Sequence, residues 1–96
     1  MKLSKAFRLG AEMIDQPGKW VQNKYGFDVG FDAYDDGRYC MLGGAAKASL
    51  SSPYALYDYL PIAWAFLDYN DAPDTTQSDA VLGSLIVSEY LRGLGK

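Results

Sequence analysis

Apolar residues recur with helical spacing at the start of the chain. Leu3, Phe7 and Ile14 fall on one face of a helix over residues 2–15, and the charged side chains lie largely off that face. Pro17-Gly18 ends this helix, because proline disfavours helical geometry in the residue before it and glycine accepts a positive φ. The pattern predicts an amphipathic first helix that packs against a core.

A second helical pattern occupies residues 76–92. Thr76 and Asp79 form a capping-box pair with Asp in the position usual for Glu or Gln, and Thr75 is the alternative cap. Gly93 and Gly95 end the helix. We expect five apolar residues of this helix to face the core: Val81, Leu82, Leu85, Ile86 and Tyr90.

Strand-like alternation lies between residues 27 and 40. Phe27, Val29 and Phe31 alternate with polar or small residues, as in a half-buried strand. Asp35-Asp36-Gly37 is a turn signal, and Arg38-Tyr39-Cys40 is the expected returning strand. The sequence therefore predicts a short β-hairpin near residues 27–40, preceded by residues 19–26, which fit either a helical turn or an extended segment.

Two more helices are predicted in the middle of the chain. The small residues of 40–49 suit a short helix that approaches a neighbouring backbone closely. Ser52-Pro53 is a good start for an aromatic-rich helix over residues 53–69, which Pro61 can split in two. The predicted fold class is α+β and mainly α: a small domain of about four helices with one hairpin, in a single domain over residues 1–96.

Charge is distributed unevenly along the chain, whose net formal charge is −3. Residues 1–24 carry five basic and two acidic side chains, 5 − 2 = +3, and residues 25–96 carry four basic and ten acidic ones, 4 − 10 = −6. The two parts either neutralise each other within the fold or offer an acidic face to a basic partner protein. Direct binding to a nucleic-acid backbone is disfavoured, because phosphate contacts need clustered Lys and Arg.

Other features favour a soluble, cytoplasmic protein without a membrane partner. Cys40 is the only cysteine, so no intrachain disulfide forms, as in a reducing compartment. Charges at Lys2, Lys5 and Arg8 interrupt the N-terminus too early for a signal peptide. The longest charge-free run, ten residues over 48–57, is about half the length of a membrane helix.

The sequence offers few catalytic or cofactor-binding groups. It contains no histidine, which excludes Ser-His-Asp and Cys-His arrangements. Cys40 lies in an apolar run and is interpreted as a buried, inert thiol. The aspartates of residues 28–36 do not fit a calcium loop, since Tyr34 and Gly43 stand where carboxylates are needed. We expect no metal site and no cofactor.

Two stretches resemble an uncharacterised family of small bacterial, bacteriophage and prophage-type proteins. Residues 40–45 follow an Asp-Gly turn, as in the family's Cys-x-Leu-Gly-Ala motif, and residues 67–76 are similar to its Trp-Asn-Asp motif followed by a turn and a threonine. Here Tyr69 replaces the tryptophan, Gly44 interrupts Gly-Ala, and Asp74-Thr75 stands where Arg-Thr is common. The resemblance covers roughly residues 7–92, and it implies a fold and an origin but no activity.

The stretch from Tyr69 to Thr76 contains the densest set of turn signals. Asn70, Asp71 and Asp74 flank Pro73 and precede a helix, where such residues mostly form turns and caps. The alternative is general acid–base chemistry or cation binding by the same side chains. The exposed tyrosines and aspartates also suit a protein-binding patch, for which we name six candidates: Tyr54, Tyr57, Asp58, Tyr69, Asp71 and Asp74.

The sequence therefore predicts a small acidic, non-enzymatic protein of phage or prophage type that binds a host or phage protein. Inhibition of a bacterial defence system is a concrete form of this hypothesis. The alternative is a structural accessory protein that forms homo-oligomers. A metal- or carboxylate-dependent hydrolase centred on Asp71 and Asp74 ranks last, because turn formation already accounts for both aspartates.

Overall fold

The computed structural model describes residues 1–22, 37–49 and 63–96. These ranges contain four helices and no strand: α1 (Leu3–Ile14), α2 (Met41–Ser49), α3 (Ala63–Asp71) and α4 (Gln77–Gly93). The first, second and fourth helices confirm those predicted from the sequence, with ends that differ by at most one residue. The predicted helix over 53–69 begins outside the described residues, and its described part continues two residues further, to Asp71.

The core forms where α1 packs against both α2 and α4. Phe7 and Ile14 of α1, as predicted, are fully buried, and the ring of Phe7 meets the edge of Phe66 of α3 at 5.8 Å between centroids. The main cluster contains nine buried residues from the four helices and from Cys40: Ala6, Phe7, Cys40, Leu42, Ala45, Ala46, Leu67, Val87 and Leu91.

The crossing of α1 and α2 depends on two glycines. A Cβ added to Gly10 would lie 2.6 Å from the backbone nitrogen of Ala45, and one added to Gly44 would lie 3.2 Å from the carbonyl oxygen of Gly10. Neither position tolerates a side chain without movement of a backbone. The close approach that the small residues of 40–49 predicted is confirmed at Gly44.

The predicted β-hairpin is not seen. Residues 27–36 lie outside the described part of the chain, and the expected returning strand, 38–40, makes a single parallel bridge with Trp20 instead. The Tyr39 N–H donates to Lys19 O at 2.6 Å, and the Val21 N–H donates to Tyr39 O at 3.2 Å. Cys40 O is already the first acceptor of α2, at 2.8 Å from Gly44 N. The chain therefore passes from the bridge straight into a helix.

The prediction for the core face of α4 was largely wrong. The buried residues are Ala80, Ser84, Val87, Ser88 and Leu91, and we call these five the inner face. Val81 is partly buried, but Leu82, Leu85, Ile86 and Tyr90 are exposed. Small side chains at 80, 84 and 88 let α4 approach α1 closely, and the Ser88 hydroxyl donates to Ser4 O at 2.6 Å. Close packing of backbones decides the orientation, and the larger apolar residues turn outward.

Both ends of α4 follow their sequence signals. The Thr76 hydroxyl accepts from Asp79 N at 3.2 Å and the Asp79 carboxylate accepts from Thr76 N at 3.0 Å, which confirms the capping box. At the other end Gly95 has φ +76°, with Gly95 N donating to Arg92 O and Lys96 N donating to Leu91 O. This bond pair is a Schellman motif, in which glycine removes the steric cost of a positive φ. Among the described helices, none is long and apolar enough to cross a membrane.

Candidate functional site

Asn70 is the next-to-last residue of α3, at the entry to the turn that follows, and its side chain is fully buried. Its Oδ1 accepts from Trp20 Nε1 at 2.8 Å and from the Met41 N–H at 3.0 Å. Its Nδ2 donates to Val21 O at 3.1 Å and to Asp71 Oδ1 at 2.9 Å. Two acceptor and two donor bonds satisfy the whole amide. Asn70 therefore joins three segments of the chain and has no free group for chemistry.

Side chains also hold the rest of this turn. The Gln22 amide donates to Ala72 O at 2.8 Å and to Asn70 O at 3.0 Å, so a residue 50 positions away binds the turn's carbonyls. The Thr75 hydroxyl donates to Tyr69 O at 2.8 Å. These bonds satisfy the carbonyls left open at the end of α3. The interpretation of Asn70 and its neighbours as turn and cap formers agrees with this geometry.

The structure places the six candidate binding residues differently. Tyr54, Tyr57 and Asp58 lie outside the described residues. Tyr69 is 45% exposed, and its hydroxyl donates to Asp79 O at 3.3 Å. Asp71 is partly buried beside Asn70, and Asp74 is exposed in the turn. Of the six, Tyr69 alone borders a concave apolar surface in the described part of the chain.

The aspartates show no catalytic or metal-binding arrangement within the described ranges. Asp71 accepts from the Asn70 amide, which occupies one of its oxygens. No group of three or more Cys, Asp or Glu side chains within residues 1–22, 37–49 and 63–96 is placed to hold a metal ion. The aspartates of 28–36 lie outside those ranges.

Cys40 is a buried free thiol at the start of α2. Its sulfur accepts from the Gly43 N–H at 3.2 Å, in the position of a helix N-cap. Burial raises the pKa of this thiol, because a thiolate is disfavoured away from water. A thiol that is buried and protonated is a poor nucleophile.

Four of the seven exposed large apolar residues in the described ranges lie on α4. Leu82, Leu85, Ile86 and Tyr90 are 56%, 39%, 60% and 60% exposed, and we call these four residues the outer face of α4. They occupy the side of the helix opposite the inner face. The side of a surface helix opposite the core normally carries charged and polar residues, but on α4 it carries these four apolar residues together with Glu89. The outer face is therefore a candidate interaction surface.

An apolar groove runs beside the outer face, between α3 and α4. Its volume is about 260 Å³, and its lining residues are Met41, Phe66, Tyr69, Gly83, Ile86 and Val87. Gly83 gives the groove its depth, because a Cβ there would lie 2.9 Å from Tyr69 Cε2 and 3.0 Å from Met41 Cε. Met41 at the base adapts to different shapes, since its thioether chain is flexible and polarizable.

The sequence contained a signal for this surface that the predicted orientation of α4 missed. Ala80, Ser84 and Ser88 recur every four residues, which is a possible face for close helix packing. The large apolar residues then form a second stripe on the same helix. A stripe of small residues and a second stripe of large apolar residues on one helix suit two packing partners.

Comparison of the chain with protein-family models, with curated proteins and with solved structures finds no match in any of the three. The candidate site is therefore defined by the geometry of α3 and α4.

Proposed function

We propose that this protein is a non-catalytic binding domain, and that the outer face of α4 and the apolar groove together receive an amphipathic helix of another protein. The observation that carries the proposal is the two-sided apolar character of α4. Its inner face is buried against α1, and its outer face exposes four large apolar side chains.

The energetics favour coverage of the outer face. Full burial of a large apolar side chain is worth about 1.5–3 kcal/mol. Leu82, Ile86 and Tyr90 are each more than half exposed, so covering each of them adds roughly 1 kcal/mol of favourable transfer free energy. These residues contribute little to the domain's own core, and this free energy is available to a partner.

The shape of the surface favours a helix as the ligand. Leu82, Ile86 and Tyr90 are spaced four apart, so they form one ridge along α4. The groove lies beside this ridge, and its 260 Å³ accommodates an anchoring side chain of a partner. A ridge of apolar residues next to a groove is the geometry by which amphipathic helices dock.

The resemblance to phage and prophage-type proteins suggests a host or phage protein as the partner, and inhibition of a bacterial defence protein remains one form of the proposal. A second candidate uses the same surface. Two copies of the chain can pair their outer faces about a twofold axis, which would make the protein a self-associating accessory protein. The same four residues, Leu82, Leu85, Ile86 and Tyr90, would then be the dimer contact.

The test compares capture of partners from a lysate of the native cells by the wild type, Ile86→Glu and Leu94→Glu. Ile86 belongs to the outer face, and Leu94 is a similarly exposed apolar residue outside it. We expect one partner to be lost with Ile86→Glu and retained with Leu94→Glu. With the purified partner, Ile86→Glu is expected to weaken binding by about tenfold or more, because a carboxylate is costly in an apolar interface.

Light scattering over a wide concentration range separates the two candidates. Dimers that dissociate in Ile86→Glu but not in Leu94→Glu would establish self-association. A monomer at all concentrations, together with no partner whose capture depends on Ile86, would refute both uses of the outer face.

A further inference from the structure

A second concave surface lies away from the apolar groove, between the first turns of α1 and the last turns of α4. Its volume is about 200 Å³. Its lining residues are charged or polar, and we call it the basic cleft: Lys2, Ser4, Lys5, Arg8, Ser88, Glu89 and Arg92.

The fold brings these cations together from opposite ends of the sequence. Lys2 is the N-cap residue of α1, and Lys5 and Arg8 follow it at intervals of three, so the three side chains lie near one another at the start of this helix. The Ser88 hydroxyl donates to Ser4 O at 2.6 Å, which fixes α4 against this part of α1. The two serines are small and leave room above them for a ligand.

The charge of the basic cleft is opposite to that of the whole chain. Four cations and one carboxylate line it, 4 − 1 = +3, whereas the chain carries −3. Arg92 pairs with Glu89 at 2.8 Å, which lowers the pKa of the Glu89 carboxyl through that hydrogen bond. Within the described ranges, Lys2, Lys5 and Arg8 have no carboxylate partner. Three like charges on adjacent turns repel one another, and a bound anion relieves that repulsion.

We propose that the basic cleft binds a compact oxyanion, namely the phosphate of a phosphate monoester. Arg8 offers a planar guanidinium suited to bidentate binding of phosphate, and Lys2 and Lys5 add two ammonium donors. These three cations carry a charge of +3, which more than neutralises the charge of about −2 on a phosphate monoester. A nucleic-acid backbone is a poor ligand here, because four cations in one small cleft of an acidic protein do not form the extended basic surface that a polyanion needs.

The phosphate has two possible sources, a small metabolite or a phosphorylated side chain of a protein. Inorganic phosphate is the first probe, in a titration followed by amide chemical shifts with ionic strength held constant by NaCl. We expect saturable shifts confined to residues 2–8 and 88–92. The same titration is then repeated with a sugar phosphate and with a phosphoserine peptide. The ligand with the lower dissociation constant identifies the source of the phosphate.

Three substitutions make the test specific. Arg8→Gln is expected to weaken phosphate binding by about tenfold, because it removes one charge-assisted contact. Lys19→Gln changes the net charge by the same amount at an exposed lysine outside the cleft, and it is expected to leave the dissociation constant nearly unchanged. Glu89→Gln removes the carboxylate and frees Arg92, so it is expected to tighten binding several-fold.

Arg8→Gln is expected to weaken phosphate binding and Glu89→Gln to tighten it. A loss of folding would weaken binding in both variants, and neither substitution disturbs the core because both side chains are exposed. Shifts that follow ionic strength and not phosphate would overturn the proposal. So would equal effects of Arg8→Gln and Lys19→Gln, or weaker binding by Glu89→Gln. None of these results bears on the outer face of α4, whose test uses other residues.

Discussion

At the scale of single residues, Asn70 is the side chain on which the most contacts depend. It is bonded to Trp20, Val21, Met41 and Asp71, and these partners belong to three separate segments. An amide whose four bonds are all made is costly to remove, because each partner loses its own hydrogen bond inside the protein.

We predict that Asn70→Ala lowers the free energy of unfolding by about 2–4 kcal/mol, since it leaves the Trp20 and Met41 N–H groups without their acceptor. Asp74→Ala is the matched control in the same turn, because Asp74 is exposed and makes no hydrogen bond in the described structure. Its expected effect is within about 0.5 kcal/mol. Urea denaturation followed by Trp fluorescence measures both. Similar losses in the two variants would contradict the central role of Asn70.

The sequence predicted that Asn70 forms a turn, but not which groups it binds. The Asn-Asp-Ala-Pro pattern indicates a turn through local geometry alone. The bonds to Trp20 and Val21 span 50 and 49 positions, and no local pattern specifies them. The exposure of the tyrosines and aspartates chosen as binding residues was equally beyond local sequence patterns, because it depends on how the helices pack.

At the scale of helices, positions along the chain were predicted better than orientations. Helical periodicity located α1, the small residues of 40–49 indicated α2, and the capping box and final glycines located α4, since those signals act within a few residues. The core face of α4 was predicted wrongly, because the helix has one stripe of large apolar residues and one of small residues, and the larger residues were assigned to the core. Large residues were expected inside, but close approach to α1 requires Ala80, Ser84 and Ser88 there.

The crossing of α1 and α2 gives a second prediction. Gly10→Ala is expected to lower the free energy of unfolding by about 1–3 kcal/mol, because its Cβ would overlap the α2 backbone and overpacking outweighs the gain in helix propensity. Gly83→Ala is the matched control, since its Cβ would meet only the side-chain tips of Tyr69 and Met41. These tips can move, and the helix propensity of alanine offsets the cost.

Thermal unfolding of the two variants checks this contrast. A loss of stability in Gly10→Ala with little change in Gly83→Ala supports backbone contact as the limiting feature of the crossing. If Gly83→Ala is the more destabilised variant, the prediction is contradicted. Tyr69 and Met41 would then be unable to move away from the added Cβ, whereas α1 and α2 would be able to move apart.

At the scale of the whole molecule, hydrogen bonds with the first residue of α4 and with the residues just after its end cap both ends of α1. Lys96 O accepts from the Ser4 N–H at 3.1 Å at the first turn of α1. The Gln77 amide donates to Ile14 O at 2.7 Å and to Gln16 O at 2.8 Å at its last turn. The two helices therefore run antiparallel, and each end of α1 obtains a cap from a residue more than 60 positions away. Lys2, the N-cap residue of α1, makes no side-chain cap hydrogen bond. The bond from the Ser4 N–H to Lys96 O takes the place of that local cap.

The Schellman motif at Gly95 directs Lys96 towards α1, and it provides the last prediction. Gly95→Ala is expected to lower the free energy of unfolding by about 1–2 kcal/mol, because alanine is strained at the φ of +76° that the turn requires. Displacement of Lys96 O would also leave the Ser4 N–H without its acceptor. Gly93→Ala is the matched control two residues earlier, where a Cβ meets open space and φ is not positive.

Hydrogen exchange of the Ser4 amide distinguishes strain in the turn from loss of the closure. If the turn positions Lys96, Gly95→Ala speeds exchange at Ser4, 91 residues away in sequence, and Gly93→Ala does not. Lys96→Ala should leave this exchange slow, because the bond uses the backbone carbonyl and not the lysine side chain. A destabilised Gly95→Ala with unchanged exchange at Ser4 would confine the effect to the end of α4, and the closure of α1 would then not depend on the turn.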